Sequence, residues 1–146
     1  MTYSWLLLLH GSLRWLVLIV AALAIIRAWQ GSRSGSWSRS DETLGTVFIS
    51  LLDTQLLIGI GLYAISPIRI AAYAAPGSSL DNEMGFFAFL HPFIMIAAVI
   101  IAHVGKALAK RAAAPAQKQG YLLRYYTIAL AIIILIIPWW RPFLRF

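Results

Sequence analysis

LHPFIMIAAVIIAHVGK, residues 90–106, is an apolar run that carries His91 near one end and His103 near the other. A histidine at membrane depth is costly to bury, so each one needs a partner. About 20 apolar residues cross a bilayer, and reading outward from this stretch finds four such runs, about 3–28, 44–65, 85–107 and 121–140. The expected fold class is all-α: a four-transmembrane-helix up-down bundle, with residues 1–146 forming a single integral membrane domain.

Composition points the same way, with 61% of 146 residues hydrophobic, 12% charged and a mean hydropathy of +0.80. Four crossings leave no room for a soluble module. The absence of cysteine excludes disulfides, thiolate metal sites, iron–sulfur clusters and covalently attached c-type haem. A net charge of +7 would suggest nucleic acid in a soluble protein. Here the basic residues cluster in two loops, where membrane topology accounts for them, so no nucleic-acid partner is expected.

The first run resembles a signal peptide at Ala22-Leu23-Ala24, but it lacks a positive n-region and is longer than signal sequences normally are. After it comes a polar Gly/Ser-rich connection in which Ser40, Asp41 and Glu42 read as an N-cap and acidic first turn. Pro67 ends the second run. Ile68–Ala75 then reads as a short amphipathic turn at the interface, broken by Pro76-Gly77. The fourth run ends in PWWRPFLRF, and Trp5, Trp29, Tyr121, Trp139 and Trp140 sit at predicted membrane boundaries as belt anchors.

Basic residues set the orientation. Arg27, Arg33, Arg39, Lys106, Lys110, Arg111, Lys118 and Arg124 fall on one side, against Arg69, Arg141 and Arg145 on the other. The positive-inside rule then places both basic loops in the cytoplasm and both termini on the outer side of a multi-pass membrane protein. Spans one and three run in the same direction, which puts His10 and His91 level, both about 7–9 Å outside the bilayer centre at 1.5 Å per residue. As diagonal neighbours in an up-down bundle, these two spans leave a gap wide enough for two imidazoles with an iron porphyrin between them. Gly59 and Gly61 on span two, and Gly11 beside His10, lie at the same depth and would make room for a flat macrocycle. The plainer alternative is that the glycines serve close helix packing and the histidines hydrogen-bond to neighbouring helices.

Arg14 and Asp53 fall near the middle of their spans, where an unpaired charge costs several kcal/mol. They are expected to form a structural ion pair that fixes the register of spans one and two. In a functional alternative Arg14 contacts a haem propionate or a quinone and Asp53 takes up protons. His103 lies 12 residues from His91, about 120° around the helix, so the two do not share a face. It is the alternative metal ligand, or an interfacial histidine bonded to water, lipid or a partner. No phosphate-binding loop, HExxH motif, nucleophile triad or carboxylate cluster is present in the sequence.

LHGSLRW (9–15), DTQLLIGIGLY (53–63), LHPFIMIAAVIIAHVGK (90–106) and IPWWRP (137–142) resemble a group of small bacterial four-helix membrane proteins described as cytochrome b-like. The resemblance implies one non-covalent haem b held by His10 and His91, with His103 as the alternative position. It implies a cytochrome subunit relaying electrons between a quinone pool or neighbouring cofactor and an outer-side partner. Expected associates are the lipid bilayer, other membrane subunits or a second copy of the chain, and quinone. The competing readings are a cofactor-free membrane anchor or accessory subunit of a respiratory or photosynthetic complex, and a proton or solute path through Asp53 and Gln55.

Overall fold

The computed structural model describes residues 2–74 and 82–141. Helix α1 (Thr2–Ser34) is followed by α2 (Arg39–Ile65), the short α3 (Pro67–Ala74), α4 (Glu83–Arg111) and α5 (Pro115–Ile136). All but α3 are long and apolar enough to cross a membrane, and the chain is a multi-pass membrane protein of up-down topology. Helix α1 packs on α2 and α5, and α4 packs on α5 and more loosely on α2. Helices α1 and α4 are therefore the diagonal pair. Leu9, Leu16, Ile19, Leu23 and Ile26 are exposed along α1, as lipid-facing residues are.

The long helices overrun the apolar runs. Helix α1 continues through Gln30-Gly31-Ser32-Arg33, where the sequence suggests a loop, because Ser32 and Ser34 donate their hydroxyls to the Trp29 and Gln30 carbonyls. It stops at Gly35, whose φ of 67° is the left-handed turn that glycine adopts without strain. The N-cap of α2 is Ser38 rather than Ser40. Asp41 at the third helical position accepts from the Ser38 backbone N–H while the Ser38 side chain accepts from the Asp41 N–H, a capping box that Ser40 lacks the spacing to form. Arg27 closes this corner with two bonds to Asp41, at 3.0 and 3.1 Å.

Helix α5 begins at Pro115, so only Ala112 to Ala114 separate it from α4. It ends at Ile136, four residues short of the expected Trp140, since Pro138 has no N–H to continue the ladder. The expected break at Pro76-Gly77 and the basic residue Arg145 lie outside the described residues. Helix α3 exposes Ile70 and Tyr73 and buries Ala72.

At the end carrying the two short connections the bundle is drawn tight by small residues. Ala21, Ala24, Ala28, Ala98, Ala102, Ala109 and Ala129 are all buried there with Phe48 and Tyr126, whose rings meet edge to face at 4.7 Å. Gly31 lies directly against Gln119, and Gly105 against Tyr125, so that no side chain fits at either glycine. Toward the other end, where α1 begins and α5 finishes, a cavity opens between the helices.

Candidate cofactor site

The cavity has a volume of about 340 Å³, within the range of small-molecule and cofactor sites. Its inner end is closed by the buried apolar residues Val17, Leu52 and Val99. Among the polar side chains of its wall are His10 and Arg14 from α1, Gln55 and Tyr63 from α2 and His91 from α4, and Arg141 lines its outer end.

His10 and His91 face each other across the diagonal, with ring centres 6.5 Å apart and planes at 72°. Each ring is held by a neighbouring helix in its own way. The Nδ1 of His91 lies 3.1 Å from the Ile136 carbonyl oxygen, an acceptor left open because α5 stops there. A carbonyl can only accept, so Nδ1 carries the proton and Nε2 keeps its lone pair. His10 is fixed through its backbone, its carbonyl accepting from Gln55 Nε2 at 2.9 Å. Among the described residues the buried His10 Nδ1 and Gln55 Oε1 have no hydrogen-bond partner.

The chain ahead of His91 is wound to aim it. Residues Phe86–Leu90 form a π-helical turn, in which the His91 N–H donates to Phe86 five residues back. Such turns recur at functional positions because they rotate the following side chains off the regular helical face. Pro92 withholds the N–H that would have bonded the Ala88 carbonyl. The Tyr63 hydroxyl donates to that oxygen instead, at 3.0 Å, tying α2 to α4 beside the cavity.

Gly59 sits against His10, where an added Cβ would stand 3.3 Å from the ring carbon Cε1. Gly11 faces open space and lines the cavity, whereas Gly61 does not line it and has nothing within 4 Å of an added Cβ. The expectation that Gly61 borders the site is therefore corrected. Its neighbours Ile60 and Leu62 line the cavity, and the helical turn carries Gly61 itself past it.

The expected ion pair between Arg14 and Asp53 is corrected as well. Asp53 meets His103, its Oδ1 lying 3.3 Å from Nε2, while His103 Nδ1 lies 3.0 Å from the Val99 carbonyl. Gln55 is the α2 residue that faces α1, and two residues back along a helix is about 200° around it, so Asp53 points away from Arg14 and toward α4. Arg14 lies one turn from His10 on the cavity wall, its guanidinium 5.2 Å from the Trp15 ring centre. His103 does not line the cavity and stands apart from the pair formed by His10 and His91.

Sequence reasoning missed Ile136, Tyr63 and Arg141. Pro92 was the available signal for Tyr63, since it leaves the Ala88 carbonyl to another donor, and Pro138 for Ile136, since it ends α5 and so opens the helix's last carbonyls. No family model, curated protein or solved structure matches this chain.

Proposed function

We propose that this chain is a small membrane b-type cytochrome in which His10 and His91 hold one haem b from its two faces. The separation of the two rings carries the reading. Imidazoles bonded to opposite sides of one metal at about 2.0–2.1 Å have ring centres roughly 6.3 Å apart, and these stand at 6.5 Å. The bond from His91 Nδ1 to Ile136 supports it, because a ligating histidine commonly donates its other N–H to a carbonyl that fixes tautomer and ring direction.

The donor set bears on which metal group fits. Among the described residues no three histidine, cysteine or carboxylate side chains converge. Two imidazoles alone are too few for a tetrahedral zinc site. They suit an iron that arrives with its other four ligands in a macrocycle. Gly59 and Gly11 clear space beside His10, and the surrounding wall is mainly aliphatic and aromatic.

A haem ligated on both faces supplies one-electron transfer and has no open position for oxygen or substrate. The protein's part is to fix the two nitrogens, exclude water with Val17, Leu52 and Val99, and seat the group toward one membrane surface. With both termini outside the bacterial inner membrane, as the basic loops favour, the site lies near the outer face. About 20 Å of a 30 Å hydrocarbon core then separates it from the cytoplasm. A neighbouring cofactor or a membrane quinone would supply electrons, and a protein on the outer side would receive them.

The test is the visible absorption of the full chain purified in detergent. Sharp reduced-minus-oxidised haem bands are expected, and they are lost in both His10→Ala and His91→Ala. A folded, colourless protein after expression with ample haem would overturn the reading in favour of a cofactor-free anchor.

A further inference from the structure

Arg141 is a charged side chain of the cavity wall for which the haem reading has so far given no task. It lines the outer end of the cavity just past α5, with its side chain 16% exposed. Its guanidinium stands 4.4 Å over the Phe87 ring, and that ring lies 6.0 Å from the ring of His91. The arginine is thus fixed one aromatic ring away from the proposed iron ligand.

Its partner is Glu83, in the first turn of α4. Arg141 Nε donates to Glu83 Oε1 at 2.6 Å, and Nη2 contacts the same oxygen. The two residues differ in setting, for the Glu83 side chain is 52% exposed while the arginine is mostly covered. The cation is the inner, built-in member of the pair. The carboxylate is an outer member that can swing away into solvent. Two of the five N–H groups of the guanidinium share one oxygen of Glu83, and its planar fork matches a carboxylate in two-point fashion.

We infer that Arg141 is a recognition site for a carboxylate carried by the cavity's occupant, which rests on the reading of that occupant as haem b, and that Glu83 neutralises the arginine when no such carboxylate is present. Depth decides which arginine does this. Arg14 is four residues inward of His10, toward the closed apolar end, whereas Arg141 stands where the cavity meets the surface. Haem b has an apolar edge and an edge bearing two propionates. The arrangement points the apolar edge at Val17, Leu52 and Val99 and brings a propionate to Arg141, where the charge stays near water.

The experiment uses the full chain, purified haem-free in detergent and titrated with haem b or with its dimethyl ester, which keeps the iron and macrocycle but has no free carboxylate. The wild-type protein is expected to bind haem b about tenfold more tightly than the diester, the scale of one charge-assisted hydrogen bond. In Arg141→Gln that preference falls below about threefold, with bis-imidazole bands retained for both compounds, while Arg141→Lys keeps part of it. Glu83→Gln keeps it in full, because Glu83 competes for the arginine and takes no part in recognition. Equal binding of the two compounds by the wild type, or an undiminished preference in Arg141→Gln, would overturn the carboxylate site and leave the cytochrome reading intact. Failure of both compounds to give bis-imidazole bands with the wild type would overturn the cytochrome reading itself, and the carboxylate site with it.

Discussion

The imidazole of His91 closes the end of a helix to which it does not belong: its Nδ1 lies 3.1 Å from the carbonyl oxygen of Ile136, the last residue of α5. One hydrogen bond thereby serves two purposes. It satisfies a carbonyl that helix termination leaves open, and it leaves Nε2 as the nitrogen able to ligate.

The two purposes separate by substitution. In His91→Asn the side-chain amide can donate to Ile136 as Nδ1 does, but no ligating nitrogen remains. His91→Ala loses both functions. Haem bands are expected to vanish in both variants, whereas thermal unfolding of haem-free protein followed by circular dichroism should place the asparagine variant near haem-free wild type and the alanine variant about 1 kcal/mol lower. Equal stability of the two variants would mean that the bond to Ile136 contributes nothing.

Gly59 and Gly61 are two residues apart on α2 and differ in what they face. A side chain at position 59 enters the space of the His10 ring, with its first carbon 3.3 Å from Cε1, while one at position 61 meets nothing within 4 Å. Gly59→Leu is expected to displace the His10 ring and abolish the haem bands, and Gly59→Ala to reduce haem occupancy only in part, since a few tenths of an ångström accommodates a methyl. Gly61→Leu should leave the spectrum unchanged. Absorption measured at matched protein concentration separates the three.

These cases mark what the sequence alone could convey. Hydrophobic runs report which segments cross a bilayer because lipid enforces that pattern on every crossing helix, so the four spans and their up-down order were legible. Depth along a helix follows from counting at 1.5 Å per residue, and so the level placement of His10 and His91 was legible too. Rotation about the helix axis was not. With apolar residues on nearly all sides of the spans, no stripe indicates which face meets which neighbour, and the structure sets Asp53 against His103 and Gly61 off the cavity wall. Helix ends were misjudged where they leave the apolar run, at Ser34 and Pro115, because hydropathy does not register a helix that continues beyond the membrane.

Asp53 and His103 are each about half exposed on the α2–α4 side and do not line the cavity. Asp53→Asn retains a hydrogen-bonding partner for His103. It is expected to leave the haem bands and their midpoint potential unchanged. Loss of haem in this variant would count against the cavity, which Asp53 does not line, as the place where haem binds. Impaired liposome proton flux without loss of haem would instead favour a proton path.

The tight end of the bundle yields a stability prediction independent of any cofactor. Gly105 on α4 lies against the base of the Tyr125 side chain on α5, so a methyl at position 105 would overlap the Tyr125 Cβ. A Cβ cannot rotate out of the way as a side-chain tip can, so the helices themselves must part. That separation would loosen the neighbouring contacts of Ala102 and Ala109, which are buried in the same core. Gly105→Ala is expected to cost about 1–3 kcal/mol, although alanine is the better helix former by roughly 1 kcal/mol. Gly120→Ala serves as the control, since nothing lies within 4 Å of its added Cβ, and it should be neutral or stabilising. Thermal unfolding of the two variants in one detergent decides the matter: if Gly105→Ala is as stable as Gly120→Ala, the close approach of α4 and α5 is not what holds this end of the bundle together.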